Sequence, residues 1–173
     1  MNSPFIPKLT PRDFSILEMA LATQSMRGDL LVAALRKKLN SAEIVFADDI
    51  PEDVVTIGSH VVFSVNDGWP CECLLVMPDQ LVRGATCLTV ASLRGLGMLG
   101  LSVGAWTEIN CGSGRERLDV LQVLAQPEAA SRARRAARQM RLVYSRDDQQ
   151  PSAARRTPGP ERPLGDDPGP SAA

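Results

Sequence analysis

From His60 to Ala125 the chain breaks into short alternating segments divided by turn residues, a pattern that only strands laid side by side can satisfy. Val61, Phe63 and Val65 alternate with His60, Val62 and Ser64, and a period of two sends alternate side chains to opposite faces of a strand. Asn66-Asp67-Gly68 supplies a turn, with Pro70 closing it. Cys71 to Met77 reads as a second strand, with Cys71, Cys73, Leu75 and Met77 predicted on one face. After a loop at Pro78 to Gly84, Cys87 to Val90 is a third short strand. Ser92 is placed to cap a short helix, Leu93 to Leu99, in which Gly95 and Gly97 each cost about 1 kcal/mol relative to Ala. Trp106 to Cys111 and Arg117 to Ala125 form a last hairpin across Gly112-Ser113-Gly114. Strands in close succession with one helix among them predict a small antiparallel α+β domain over residues 50–127.

Upstream the period lengthens. Thr10 is a good N-cap, Pro11 suits the first helical position, and Asp13 lies where a carboxylate favours the helix dipole. Phe14, Leu17 and Leu21 follow at helical spacing. Gly28 interrupts, and Asp29 can cap a second helix carrying Leu31, Leu35 and Leu39, with Arg36, Lys37 and Lys38 near its C-terminal end. A short link between two apolar stripes predicts an antiparallel helical hairpin over residues 8–42. Each helix of about a dozen residues rises only some 18 Å.

Downstream, residues 128–146 are rich in Ala and Arg and predict a basic helix. Residues 147–173, mostly Pro, Gly, Ser, Ala, Arg and Asp, have no apolar period and are expected to be disordered. The net charge of −1 conceals a division: +3 over residues 1–42, −7 over 43–126 and +3 over 127–173. An acidic middle repels phosphate and suits a basic protein surface. No apolar run approaches the roughly 20 residues that cross a bilayer. With no signal peptide visible at Met1 to Thr10, a cytoplasmic, membrane-free and monomeric protein is expected.

Chemistry-bearing residues are sparse. Cys71 and Cys73 fit no two-halved zinc spacing, so the four cysteines are expected as buried free thiols. His60, the one histidine, has no carboxylate neighbour in sequence and reads as a solvated strand residue. The glycines from Gly95 to Gly104 come without a βαβ unit or a phosphate-binding lysine. Trp69 sits on a turn and Trp106 at a strand start, too scattered to line a prolyl isomerase pocket. Arg132, Arg134, Arg135, Arg138 and Arg141 could contact nucleic acid phosphates, although a solvated helix face explains them more simply. No catalytic residue, metal or cofactor is expected.

Two stretches carry a family resemblance. The first is Asp53-Val54-Val55-Thr56-Ile57-Gly58-Ser59 leading into the strand at Val61; the second runs from Ser92 to Gly104. Together they resemble the C-terminal, FKBP-like domain of the Gre transcription factors. Ser92, Gly95, Gly100, Val103 and Gly104 match the Gre pattern, while Leu93, Gly97, Met98 and Ala105 replace its proline, alanine, leucine and aspartate. Ile50-Pro51-Glu52-Asp53-Val54-Val55-Thr56 and Gln126-Pro127-Glu128-Ala129-Ala130 are similar to the Rnk family, the regulators of nucleoside diphosphate kinase, over about residues 8–130.

That resemblance implies an FKBP-like antiparallel sheet against one short helix, and RNA polymerase as partner. The domain would dock on the rim of the secondary channel through Ala91, Ser92 and Leu93, with the hairpin toward the channel, and would affect nucleoside diphosphate kinase directly or through transcription. Gre factors stimulate transcript cleavage with an acidic pair at the tip of a long coiled coil, which helps hold a Mg²⁺ ion. The tip here, Ala22 to Asp29, offers Asp29 alone, better read as an N-cap, and the hairpin is short. Occupancy of the channel rim without cleavage is the expected mode.

Overall fold

A computed structural model describes residues 5–23, 28–81, 86–112 and 114–147, with side chains described as far as residue 140. The hairpin tip at 24–27, part of the loop at 82–85, Ser113 and the predicted disordered tail from 148 onward lie outside the described residues. Met1–Arg138 form one compact unit; Gln139–Ala173 form a second, of which the end of the last helix is described.

The chain opens with β1 (Lys8–Leu9), α1 (Pro11–Ala22), α2 (Asp29–Ser41) and β2 (Glu43–Ile44). Thr10 caps α1 as expected, its Oγ1 accepting from the Asp13 N–H at 3.0 Å with Pro11 in the first turn. The cap of α2 differs from expectation. Gly28, at φ +106°, is the N-cap and makes no side-chain bond, because its open backbone turns the chain into the helix. Asp29 is instead the first helical residue, where its carboxylate faces the positive helix end. β1 and β2 pair in parallel, a small sheet that no alternation announced.

Five strands form the main sheet: β3 (His60–Val65), β4 (Cys71–Val76), β5 (Cys87–Thr89), β6 (Trp106–Cys111) and β7 (Gly114–Ala125). Their order is β5-β4-β3-β7-β6. All pairs are antiparallel except β4 with β5, which are parallel. The connection between those two includes a 3₁₀ turn at Pro78–Gln80. The face expected of the second strand holds for Cys73 and Leu75. Cys71 is exposed at the sheet end, and Val76 is buried as the strand finishes. Of four thiols expected to be buried, only Cys73 is, so the free cysteines are not simply core residues.

Against this sheet lies α3 (Leu93–Met98), with α4 (Pro127–Asp147) closing the unit. Leu17 and Ala20 of α1, Leu31, Ala34 and Leu35 of α2, and Leu96, Met98, Ile109 and Leu118 of the domain belong to one apolar cluster. The leucine stripe of α2 therefore packs inside the hairpin and onto the domain together. Burying a leucine contributes about 2 kcal/mol, so the fully buried Leu17 and Leu35 hold the hairpin base firmly to the sheet layer.

Candidate docking site

The segment leading into α3 is built by local bonds. The Ala91 N–H donates to Thr89 Oγ1 at 3.2 Å, and the Ser92 hydroxyl donates to Thr89 O at 2.7 Å. Ser92 Oγ also accepts from the Gly95 N–H at 3.0 Å and so caps α3. Ala91, Ser92 and Leu93 are each partly exposed. Leu93 stands at a groove of about 310 Å³ that is also lined by Leu30, Ala33, Ala34, Lys37 and Asn110. The three residues expected to dock, consecutive in the chain, lie on a hydrogen-bonded step at the start of α3.

The glycines of α3, costly by propensity, are demanded by packing. A Cβ on Gly95 would fall 2.1 Å from Thr89 O, and one on Gly97 would meet Ile109, Thr107 and Leu118 side chains at 3.1–3.3 Å. They let the helix lie close against the sheet. Beside Leu93, Arg94 makes a two-pronged pair with Glu116, Nε to Oε2 at 2.8 Å and Nη2 to Oε1 at 2.9 Å. That pairing raises the Arg94 pKa and lowers that of Glu116.

Two buried ionisable groups were invisible to sequence reasoning as anything but helix-end charges. Lys38, 2% exposed, donates from Nζ to Gly97 O at 3.2 Å and to Leu99 O, crossing from α2 to the end of α3. Burial pulls its pKa down to about 7. Asp13, fully buried, accepts the Ile57 N–H on Oδ2 at 3.2 Å. Burial, with the Glu128 carboxylate as a lesser contribution, pushes its pKa up to about 6 against the lowering pull of that N–H. Only the distance in sequence to their partners conceals them.

His60 does have a carboxylate partner: Nε2 lies 2.8 Å from Glu72 Oε1 across β3 and β4, both side chains largely in solvent. Of the α4 arginines, two are turned back onto the chain. Arg132 Nη1 donates to Ala47 O at 2.7 Å, and Arg135 pairs with Asp48 at 2.5 Å. Arg134 and Arg138 are exposed, while the Arg141 side chain lies outside the described residues. Among the described residues no group of three or more metal-ligating side chains converges, and no helix is long and apolar enough to cross a membrane.

No family model matches the chain. The regulator of nucleoside diphosphate kinase from Escherichia coli K12 is 32% identical over 120 residues, covering 68% of this chain and 88% of that protein. The protein of the same name from Shigella flexneri matches equally. Among solved structures, the transcription elongation factor GreA/GreB from Nitrosomonas europaea superposes with a TM-score of 0.55 at 27% identity, covering 68% of this chain and 98% of that one. With its α+β architecture of GreA/GreB type, the chain belongs to the family of regulators of nucleoside diphosphate kinase.

Proposed function

We propose that the chain is a noncatalytic regulator that binds RNA polymerase at the rim of its secondary channel, with Ala91, Ser92 and Leu93 as the main contact. The preformed step of those three residues carries the reading: its bonds to Thr89 and Gly95 fix the backbone before any partner arrives. A rigid contact loses little entropy on binding. The similarity to a GreA/GreB transcription elongation factor supplies the partner class, and the name of the curated relatives supplies the downstream effect on nucleoside diphosphate kinase, direct or through transcription.

Occupancy rather than cleavage is the mode this reading favours. The hairpin helices have 12 and 13 residues, some 20 Å at most, and their inner faces are spent on the domain core. A role for α4 in gripping nucleic acid has less support, since Arg132 and Arg135 are engaged with Ala47 and Asp48.

Co-purification of the full chain with core polymerase tests the proposal, with Ser92→Asp and Leu93→Arg introduced together. Loss of binding is expected; Asp is itself a good N-cap, so α3 should survive. Retained binding would discredit the loop. Stimulated cleavage in stalled elongation complexes would overturn the occupancy mode.

A further inference from the structure

Trp69 is 91% exposed, more than any other large hydrophobic side chain among the described residues. The backbone that carries it is fixed by a turn. Asn66 and Asp67 both take positive φ, 52° and 55°, and Gly68 N–H donates to Val65 O at 2.9 Å, the two-residue turn whose twist suits a hairpin. The Asn66 N–H donates to Arg117 O at 2.9 Å while Asn66 Oδ1 accepts the Arg117 N–H at 2.8 Å. The Cys71 thiol donates to Trp69 O at 3.6 Å, and Pro70 restricts the tryptophan backbone to extended conformations. The turn presents an indole on a fixed backbone, with no internal bond among the described residues occupying its N–H.

The turn neighbours the step at Leu93. Arg94, next in chain to Leu93, grips Glu116; Arg117 follows Glu116 and is bonded to Asn66 of the turn. Arg94 is also within electrostatic reach of Cys111 and of Cys71, two residues beyond Trp69. Around this stretch Arg94 pairs with Glu116 and Arg117 with Asp119, which leaves Asp67, Glu108 and the Glu72 beside His60 against Arg115.

We infer that Trp69 is the apolar anchor of the same docking surface, inserting into an apolar slot ringed by basic side chains on the polymerase. Tryptophans at the centre of an interface carry a disproportionate share of binding energy. The acidic surround selects a basic protein face and disfavours nucleic acid, whose phosphates it repels. This inference rests on the polymerase reading above.

The test is a binding titration of the full chain against core RNA polymerase, with Trp69→Ala, Trp69→Phe, Asp67→Lys and Leu93→Arg compared. Trp69→Ala is expected to weaken binding at least about tenfold, with Phe intermediate. Asp67→Lys should weaken it too, mostly by slowing association. Because Trp69 is exposed, its loss leaves the fold intact, which thermal unfolding of each variant verifies. Binding by Trp69→Ala equal to that of the parent, with Leu93→Arg inactive, overturns the anchor and leaves the loop reading standing. Loss with Trp69→Ala but not with Leu93→Arg supports the anchor and removes the loop. A parent chain that does not bind core polymerase overturns both.

Discussion

The Lys38 ammonium donates to the Gly97 carbonyl at 3.2 Å, fastening the second helix of the hairpin to the closing turn of the helix that Ser92 opens. A cation there also complements the negative end of α3. The proposed docking step and the hairpin are therefore joined by this bond as well as by the shared apolar cluster.

Lys38 should leave a signature in the pH dependence of stability. Its pKa falls from 10.5 in the unfolded chain to about 7 in the fold. Between those values the unfolded chain binds more protons, so stability from this group rises with pH and is lost as pH falls through about 7. The neutral amine keeps two N–H donors for its two carbonyls. Lys38→Met should be destabilised by about 2 kcal/mol at pH 7, through the unpaired Gly97 and Leu99 carbonyls. Its deficit against the parent should widen from pH 7 to 9 by up to about 1.4 kcal/mol per unit. Urea unfolding at three pH values reads this, and a constant deficit would contradict it.

Asp13 works in the opposite sense. A folded pKa of about 6 against 3.8 means the folded chain binds more protons in that interval. The contribution is full below about 3.8 and is lost as pH rises through 6. Asp13→Asn keeps an acceptor for the Ile57 N–H and carries no charge, so it should flatten this fall and be at least as stable as the parent at pH 7.5. Asp13→Ala leaves that N–H unpaired and should lose about 1–3 kcal/mol. Chemical denaturation from pH 4.5 to 7.5 separates the two variants.

What was legible in the sequence was local. Thr10 and Ser92 declare their caps within three residues, and Asn66-Asp67-Gly68 declares its turn because few residues accept positive φ. Lys38 and Asp13 read as ordinary helix-end charges, since their partners lie 59 and 44 residues away and no period reports burial of a single long side chain. The parallel pairing of β5 was hidden for the same reason: a three-residue strand has no pattern that tells its direction. The proposed docking step is suggested only by family resemblance, because its residues bear no titratable chemistry.

Gly95 and Gly97 separate propensity from packing. By propensity alone, Ala at either position would stabilise α3 by about 1 kcal/mol. At Gly95 the new Cβ would strike the Thr89 carbonyl, a backbone atom that cannot yield. At Gly97 it would press on side-chain ends of Ile109, Thr107 and Leu118, which can shift by tenths of an ångström. Gly95→Ala should therefore cost about 3 kcal/mol, and Gly97→Ala no more than about 1. Thermal unfolding of both should rank them in that order; equal or reversed losses would show that α3 does not lie so close to β5.

Shortening the chain tests where the folded unit ends and which function the arginines serve. Gln126 Nε2 donates to Pro51 O and Val54 O, both at 2.8 Å, and Thr56 Oγ1 donates to Glu128 Oε2 at 2.7 Å. Removing residues 131–173 keeps all three bonds and forfeits two exposed contacts, the Arg132 bond to Ala47 O and the Arg135–Asp48 pair, each worth under about 1 kcal/mol. Stability should change little. Ending the chain after Ala125 removes both buried side chains, leaves the Val54 carbonyl without its partner and Pro51 O with the Val54 N–H alone, and should lose about 1–3 kcal/mol. The first truncation also deletes Arg132, Arg134, Arg135, Arg138 and Arg141. Under the polymerase reading it still co-purifies with core enzyme, because the step at Leu93 is untouched. If the five arginines are the working surface, salt-sensitive binding to nucleic acid disappears with them while the fold remains. A truncated chain that stays folded and loses the polymerase would transfer the contact from α3 to α4.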